Sequence, residues 1–250
     1  MKTAHCIVSK APIRQDPSDK AEIVTEMLFG EAVEVLNKQE KWWQIACNWD
    51  GYQGWIDPKQ VAFLREEEDL RKKHCSSSAL WNVPTNQGVF NLPIGAEFFL
   101  DMDNSSGLGA IEFDFKAESD LRLSPKPELL AVAMRFLNTP YLWGGRSNYG
   151  IDCSGFTQVC HKVCGIQLPR DAYQQAEVGE EISFVKSKEK DLAFFVNAKG
   201  RVIHVGIILP DNNIIHAHGK VRIDRLDERG IYNEDMGRYT HELSMIRRIL

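Results

Sequence analysis

The first part of the chain alternates apolar and polar residues over short stretches, with aromatic residues at several of the apolar positions. AEIVTEMLFGEAVEVL breaks at Gly30 and resumes as an alternating run, and KWWQIACNW and GYQGWI flank a turn at Asp50 and Gly51. A period of two residues is typical of strands with one buried face, and tight glycine turns join such strands. The pattern predicts a small all-β barrel over residues 1–65.

A charged stretch follows this barrel. REEEDLRKK has an acidic start and a basic end, which complement a helix dipole, so we predict a helical connector and a domain boundary here. LPIGAEFFLD around Gly95 then resembles MLFGEAVEVL around Gly30, because each has a turn glycine followed by a strand of similar length. This partial repeat predicts a second barrel at residues 74–124, and the connector and barrel together make a second domain over 66–124.

The period of the pattern changes after residue 124. LSPKPELLAVAMRFLNTPYLWGG contains two early prolines, and one helical face then collects the apolar residues Leu129, Leu130, Ala133, Phe136 and Leu137. Strand-like runs return further along the chain. We therefore predict a third, α+β domain over residues 125–250.

A cysteine at the start of a predicted helix is the first candidate for chemistry. YGIDCSGFTQVC leads into apolar residues with helical spacing, and CGIQLP supplies a glycine and a proline that end the helix. Cys153 therefore lies at a predicted helix N-terminus, where unpaired N–H groups and the helix dipole favour thiolate over thiol. The N–H groups nearby are candidate donors to an oxyanion. The alternative is a buried thiol that serves packing alone.

A predicted hairpin supplies candidate bases. RVIHVGIILPDNNIIHAHG reads as two strands around a turn at residues 210–212, and a loop of odd length places His204, His216 and His218 on one face of the sheet. One imidazole can then take the thiol proton while a second orients it, as in Cys/His enzymes. The alternative is a pair of hydrogen-bonded histidines on a half-buried hairpin.

These motifs together resemble the NlpC/p60 family of papain-like cysteine peptidases, which cut bacterial cell-wall peptides. DCSGF, HVGI and IIHA carry the resemblance, and PYLWGG upstream and LPRDAYQQ downstream match the same pattern, so it covers residues from about 128 to 250. The resemblance implies an α+β, papain-like domain with Cys153 as nucleophile, His204 as base and His216 as the orienting third group. His218 is kept as an alternative to His216.

The order of the domains extends the resemblance. Two bacterial SH3-like barrels before such a peptidase domain are similar to the dipeptidyl-peptidase VI type, which cleaves γ-D-glutamyl–diamino acid bonds in short peptides with a free N-terminal L-alanine. A murein peptide such as L-Ala-γ-D-Glu-diaminopimelate is therefore the expected partner. A free amine needs a negatively charged, partly desolvated socket and a wall that stops longer chains.

Several residues are candidates for that substrate pocket. The candidate partners of the amine are Asp152, Asp171 and Glu22, the last in preference to Glu26. The candidate walls are Tyr141 and Trp143, with Tyr52 or Trp55 from the first barrel. Ser154 is a candidate hydrogen-bond partner of the substrate, and Arg170 either binds a substrate carboxylate or braces the loop.

Composition narrows the function classes. The net charge is −5 and the sequence has no cluster of basic residues, so nucleic-acid binding is not expected. No apolar run approaches the roughly 18 residues of a membrane span. The six cysteines are irregularly spaced without a CxxC pair, so neither a disulfide framework nor a metal site is expected. The implied chemistry needs no cofactor.

The cysteines and the start of the chain also bear on location. Free-looking thiols and no secretory signal predict the cytoplasm, where such an enzyme would recycle wall peptides, with a periplasmic or secreted location if a signal has been removed. We expect a monomer. Two other functions fit the same domains: a catalytically silent module that binds wall peptides, and a papain-like acyltransferase.

Overall fold

The computed structural model of the chain describes residues 3–64, 72–100, 106–108, 110–113 and 127–249. Two compact units divide the chain: Met1–Pro127 with Trp143–Tyr149, and Glu128–Leu142 with Gly150–Leu250. Within the described ranges, no helix is both long enough and apolar enough to cross a membrane.

Seven short strands form the first sheet of the first unit: β1 Thr3–Cys6, β2 Lys10–Arg14, β3 Ile23–Leu28, β4 Ala32–Lys38, β5 Trp43–Cys47, β6 Gln53–Ile56 and β7 Val61–Phe63. They pair antiparallel in the order β3-β2-β6-β5-β4-β1-β7, and a 3-10 turn at Pro58–Gln60 leads into β7. Their inward side chains make an apolar core that includes Ala4, Ile13, Met27, Val33, Ile45 and Ile56. The strands predicted from the alternating pattern are confirmed.

Six further strands form the second sheet of this unit: β8 Lys72–Cys75, β9 Leu80–Thr85, β10 Gly88–Leu92, β11 Glu97–Leu100, β12 Ser106–Leu108 and β13 Ile111–Phe113. Their order is β10-β9-β13-β12-β11-β8, and their core contains Phe98, Phe99 and Phe113 together with Phe29. Of the predicted helical connector, residues 65–71 lie outside the described residues. Lys72 and Lys73 belong to β8, because their pairing with β11 overrides the local charge pattern.

The two sheets repeat one local hydrogen-bond pattern. The N–H of Gly30 donates to the carbonyl of Cys6 at 2.9 Å, and the N–H of Gly95 donates to the carbonyl of Ser76 at 2.8 Å. Both glycines have positive φ, 79° and 90°, a conformation that favours glycine. The predicted similarity between the two glycine turns therefore reflects the same turn in both sheets.

The second unit combines short helices with one sheet. Its described helices are α1 Leu129–Met134, α2 Cys153–Val163 and α3 Ala172–Gln175, and a 3-10 turn lies at Phe184–Lys186. Strand β14, Arg146–Ser147, belongs to the first unit, and the strands of the second unit are β15 Gly150–Ile151, β16 Glu180–Ile182, β17 Leu192–Val196, β18 Val202–Leu209, β19 Asn213–His218, β20 Lys220–Asp227, β21 Gly230–Asn233 and β22 Arg238–Arg248.

The sheet of the second unit closes on itself. Its order is β16-β22-β17-β18-β19-β20-β21, and a further pairing of β21 with the long strand β22 completes a ring. Helix α2 packs against β18 and β19. A closed sheet has no free edge between the joined strands. The hairpin of β18 and β19 is paired on both sides, with β17 and β20, and lies beneath the helix.

The apolar face predicted for α1 is only partly right. Leu129, Ala133 and Phe136 are buried, whereas Leu137 is 39% exposed. The helix ends at Met134, and Asn138 then turns the chain with a φ of 68°. The helical period therefore does not continue as far as residue 137.

Gly30→Ala should destabilise the first unit more than Gly51→Ala. Both glycines have positive φ, 79° and 73°, so each substitution costs roughly 1–2 kcal/mol of backbone strain. A Cβ at residue 30 would lie 2.1 Å from the backbone oxygen of Glu97, whereas one at residue 51 would meet nothing within 4 Å. Displacing packed backbone should add about 1–3 kcal/mol to the loss at Gly30. Urea unfolding followed by tryptophan fluorescence measures the two losses, and equal values would contradict this reasoning.

Candidate active site

Cys153 is the first residue of α2, and Asp152 caps that helix. The backbone of Asp152 is extended, and its Oδ1 accepts a hydrogen bond of 2.7 Å from the N–H of Gly155. All residues of α2 are buried, and Gly165 follows its end with a φ of 79°. A carboxylate cap and a left-handed glycine are common signals for the two ends of a helix. The predicted helix, with Cys153 at its N-terminus, is confirmed.

Arg170 holds the start of this helix. Its guanidinium donates to both carboxylate oxygens of Asp152, at 2.5 and 3.0 Å, and to Oγ of Ser154 at 2.9 Å. Arg170 is only 2% exposed, so each charge of the pair compensates the other in a buried place. Of the two roles predicted for Arg170, these contacts are those of a brace. Asp152 and Ser154, both candidates for substrate contact, are positioned by it.

Strands β18 and β19 form the predicted hairpin. Gly206 lies opposite His216, and Asp211 and Asn212 turn the chain with positive φ. This register brings Nε2 of His204 to 2.8 Å from Nδ1 of His216, and both rings are buried. The predicted same-face arrangement is confirmed, and the pair has the geometry of a base with an orienting partner.

Asp224 on β20 extends this pair although it is absent from the predicted site. Nε2 of His216 lies 3.0 Å from Oδ2 of Asp224, which is 5% exposed. The stretch HAHGKVRID does carry a signal for it. A single turn residue, Gly219, joins the strands so that His218 pairs with Lys220, and alternate residues on both strands then share a face.

Two further histidines, His218 and His241, lie near His204. The ring of His241, on β22, stacks on that of His204 with centroids 4.2 Å apart and planes 25° apart. The ring of His218 is 6.5 Å from that of His204, so His216 is the nearer partner of the two candidates. His241 is also absent from the predicted site, because its position depends on the pairing of β22 with β17, which no local pattern indicates.

Burial keeps the thiol of Cys153 protonated. Burial, and then the charge of Asp152, raise the pKa of Cys153 from 9.0 to about 12. The N–H groups of Val205 and Ser154 lie within hydrogen-bonding reach of the sulfur and oppose this rise, as does Arg170. Desolvation therefore opposes the thiolate that the helix N-terminus is predicted to favour. The helix N-terminus is present, but desolvation outweighs it.

His204, His216 and His241 are neutral as well. Burial lowers the pKa of His204 well below 6.5, and the three neighbouring histidines lower it further. Burial also lowers the pKa of His216, although Asp224 opposes the change, and burial lowers the pKa of His241 to about 3. A neutral imidazole is the form that accepts a proton, so His204 is ready to act as a base.

Two predicted substrate contacts lie elsewhere in the second unit. Burial raises the pKa of Tyr141, and the nearby acidic groups of Cys153 and Asp152 raise it further, so its hydroxyl stays protonated and can donate. Asp171 caps α3 and forms a capping box with Gln174. Contact of either residue with a substrate stays a prediction.

The other predicted contacts lie in the first unit. Nε1 of Trp143 donates to Oε1 of Glu22 at 2.6 Å. Glu26 is only 2% exposed and accepts backbone and side-chain hydrogen bonds, whereas Glu22 is exposed. Tyr52 packs against the core of the first sheet, and Trp55 lies in β6. For Glu22, Trp143, Tyr52 and Trp55 too, contact with a substrate stays a prediction.

None of the six cysteines, all of which lie within the described residues, forms a disulfide. Cys160 is buried within α2, and burial raises its pKa well above 9.0, as for a small side chain that serves packing. Over the part of the chain that the structure describes, no group of three or more His, Cys, Asp or Glu side chains is arranged to hold a metal ion.

Comparisons with known proteins match both units. The NlpC/P60 family matches residues 138–239, and the bacterial dipeptidyl-peptidase Sh3 domain matches residues 13–61. A γ-D-glutamyl-L-lysine dipeptidyl-peptidase of Bacillus cereus is 28% identical over 85% of this chain and 73% of its own length. A probable endopeptidase NlpC homolog of Haemophilus influenzae is 34% identical over 52% of this chain and 69% of its own length.

The fold has a counterpart of the same extent. The crystal structure of an NlpC/P60 family protein from Bacillus cereus covers 99% of this chain and 99% of its own, with a TM-score of 0.79 and 23% identity. The family match spans the segment that holds Cys153, His204 and His216. Together with the identity to the Haemophilus relative, it shows that the chain belongs to the NlpC/P60 family.

Proposed function

We propose that this cysteine peptidase hydrolyses the γ-D-glutamyl–diamino acid bond of murein peptides with a free N-terminal L-alanine. One observation carries the proposal: Cys153 lies at a helix N-terminus within hydrogen-bonding reach of the N–H of Val205, and His204, which precedes Val205 in β18, is hydrogen-bonded to His216. A thiol and a base with an orienting partner perform nucleophilic acyl transfer.

Two similarities support the substrate class. The Bacillus cereus relative that spans most of this chain is named for γ-D-glutamyl-L-lysine bonds. The first unit matches an Sh3 domain named for bacterial dipeptidyl-peptidases. We therefore take L-Ala-γ-D-Glu-diaminopimelate and its lysine counterpart as the substrates to test.

In the proposed mechanism, the sulfur of Cys153 attacks the γ-carbonyl carbon of D-glutamate while the thiol proton passes to His204. Nε2 of His204 is engaged by His216, so Nδ1 is the nitrogen that takes this proton. The N–H groups at the start of α2 stabilise the oxyanion. His204 then protonates the leaving amine and the C–N bond breaks, which leaves a thioester. Water that His204 deprotonates attacks the thioester carbon, the C–S bond breaks, and the proton returns from His204 to the sulfur of Cys153.

The thiols support a location as well. None of the six described cysteines forms a disulfide, and reduced thiols persist in a reducing cytoplasm. We therefore propose that the enzyme works there, on wall peptides taken up for reuse.

Wild-type enzyme should release L-Ala-γ-D-Glu from L-Ala-γ-D-Glu-diaminopimelate but not from the N-acetylated peptide. Cys153→Ala should lower turnover at least about 1,000-fold, because no thioester can form. Mass spectrometry of the products measures both effects. Cys164→Ala is the matched control, since it removes a thiol just after the end of the same helix and should leave turnover near the wild-type level.

Three outcomes would count against parts of this proposal. Cleavage of both peptides would remove the requirement for a free amine. Turnover by Cys153→Ala would remove the nucleophile. Transfer of the acyl group to an added amine, in place of hydrolysis, would favour an acyltransferase.

Activity should persist well into the acid range. Because the pKa of His204 lies well below 6.5, the imidazole stays neutral as the pH falls through 6.5, and kcat/KM should decrease only at lower pH. The neutral thiol passes its proton to His204, so kcat/KM should also not rise with hydroxide between pH 7 and 8. A profile of kcat/KM from pH 4.5 to 8.5 tests both points. Half-loss near pH 6.5, or a tenfold rise per pH unit above 7, would contradict them.

A further inference from the structure

The hydrogen-bonded chain of the active site continues one residue beyond His216. His204 contacts His216 at 2.8 Å, and His216 contacts Asp224 at 3.0 Å. We infer that Asp224 is a positioning residue that sets, through His216, which nitrogen of His204 carries the proton. The inference rests on the proposed function, in which His204 is the base.

Asp224 is held as a carboxylate that only accepts hydrogen bonds. Arg222 donates to both of its oxygens, each at 2.8 Å, and Nδ2 of Asn233 donates to Oδ2 at 3.3 Å. Burial alone would raise the pKa of Asp224, but the hydrogen bonds from His216 and Arg222 lower it overall. The carboxylate is therefore ionised and presents an acceptor to His216.

This acceptor decides the protonation of both imidazoles. Nε2 of His216 must carry a hydrogen to donate to Asp224, so Nδ1 of a neutral His216 has none and accepts. Nε2 of His204, 2.8 Å away, must then carry a hydrogen as the donor. Nδ1 of His204 is left without one, and this is the nitrogen that must take the proton of Cys153.

The opposite order would block the reaction. If Nε2 of His216 accepted a hydrogen bond, its Nδ1 would donate to Nε2 of His204, and Nδ1 of His204 would already hold a hydrogen. A neutral imidazole in that form cannot take the thiol proton at Nδ1. The carboxylate of Asp224 therefore fixes the tautomer of His216, and His216 in turn fixes the tautomer of His204.

The tautomer can be observed directly. In 15N NMR spectra of the wild-type protein, His204 should show a protonated Nε2 and an unprotonated Nδ1. In Asp224→Asn and Asp224→Ala the ionised acceptor is gone, so the other tautomer should become populated. Because kcat depends on the fraction of His204 in the correct form, kcat should fall about 10- to 100-fold while KM changes little.

Asp235→Asn is the matched control. Asp235 is the second carboxylate on Arg222, at 2.8 Å, and its side chain is 78% exposed. Its removal disturbs the same arginine but leaves the contact between Asp224 and His216 intact. The tautomer of His204 and kcat should both stay at the wild-type level.

A double-mutant cycle separates positioning from simple structural support. In His216→Asn, the amide oxygen would accept a hydrogen bond from His204. An amide has no second tautomer, so Asp224 could not change the protonation of His204 through it. Asp224→Asn should therefore lower kcat about 10- to 100-fold beside His216 but less than about 3-fold beside His216→Asn. A purely structural role would give equal losses in both backgrounds.

The two proposals fail in different ways. An unchanged His204 tautomer in both Asp224 variants, or equal losses of kcat in the two backgrounds, would overturn the role of Asp224. The NMR readout needs no substrate, so a wild-type protein with the expected tautomer that cleaves neither test peptide would reject the proposed substrate and support the inference.

Discussion

The buried ion pair of Asp152 and Arg170 is the contact on which the position of Cys153 depends. Asp152 uses one carboxylate to cap α2 and to bind the guanidinium of Arg170. Breaking such a pair by removing one partner typically costs about 3–5 kcal/mol, because the remaining buried charge is uncompensated. The residue after Asp152 therefore has little freedom, and the sulfur of Cys153 stays within reach of the N–H of Val205.

The same burial sets the resting protonation state. A helix N-terminus stabilises a nearby anion by about 0.3–2 kcal/mol. The pKa of Cys153 nevertheless rises from 9.0 to about 12, and each pKa unit corresponds to about 1.4 kcal/mol, so desolvation outweighs the helix dipole. Thiol and imidazole are both neutral at rest. Charges develop only during the reaction, when an oxyanion forms beside the helix N–H groups and a cation forms on His204.

Local signals in the sequence predicted the elements that carry the nucleophile and base, but not the environment that tunes them. The helix that begins at Cys153 and the turn that brings His204 beside His216 are each encoded within a few neighbouring residues, so periodicity and parity sufficed. The stacking of His241 needs a sheet that closes through β22. The protonated thiol needs a fully packed α2, and packing of that kind is a property of the whole unit.

Two buried carboxylates act on opposite ends of the proton transfer. Asp152 lies beside Cys153 and disfavours the thiolate, but Arg170 compensates much of its charge. Asp224, itself paired with Arg222, lies beyond His216, where its carboxylate accepts from the histidine that orients His204. The arginine on Asp152 therefore matters to catalysis as well as to stability, since it weakens the charge that opposes the thiolate.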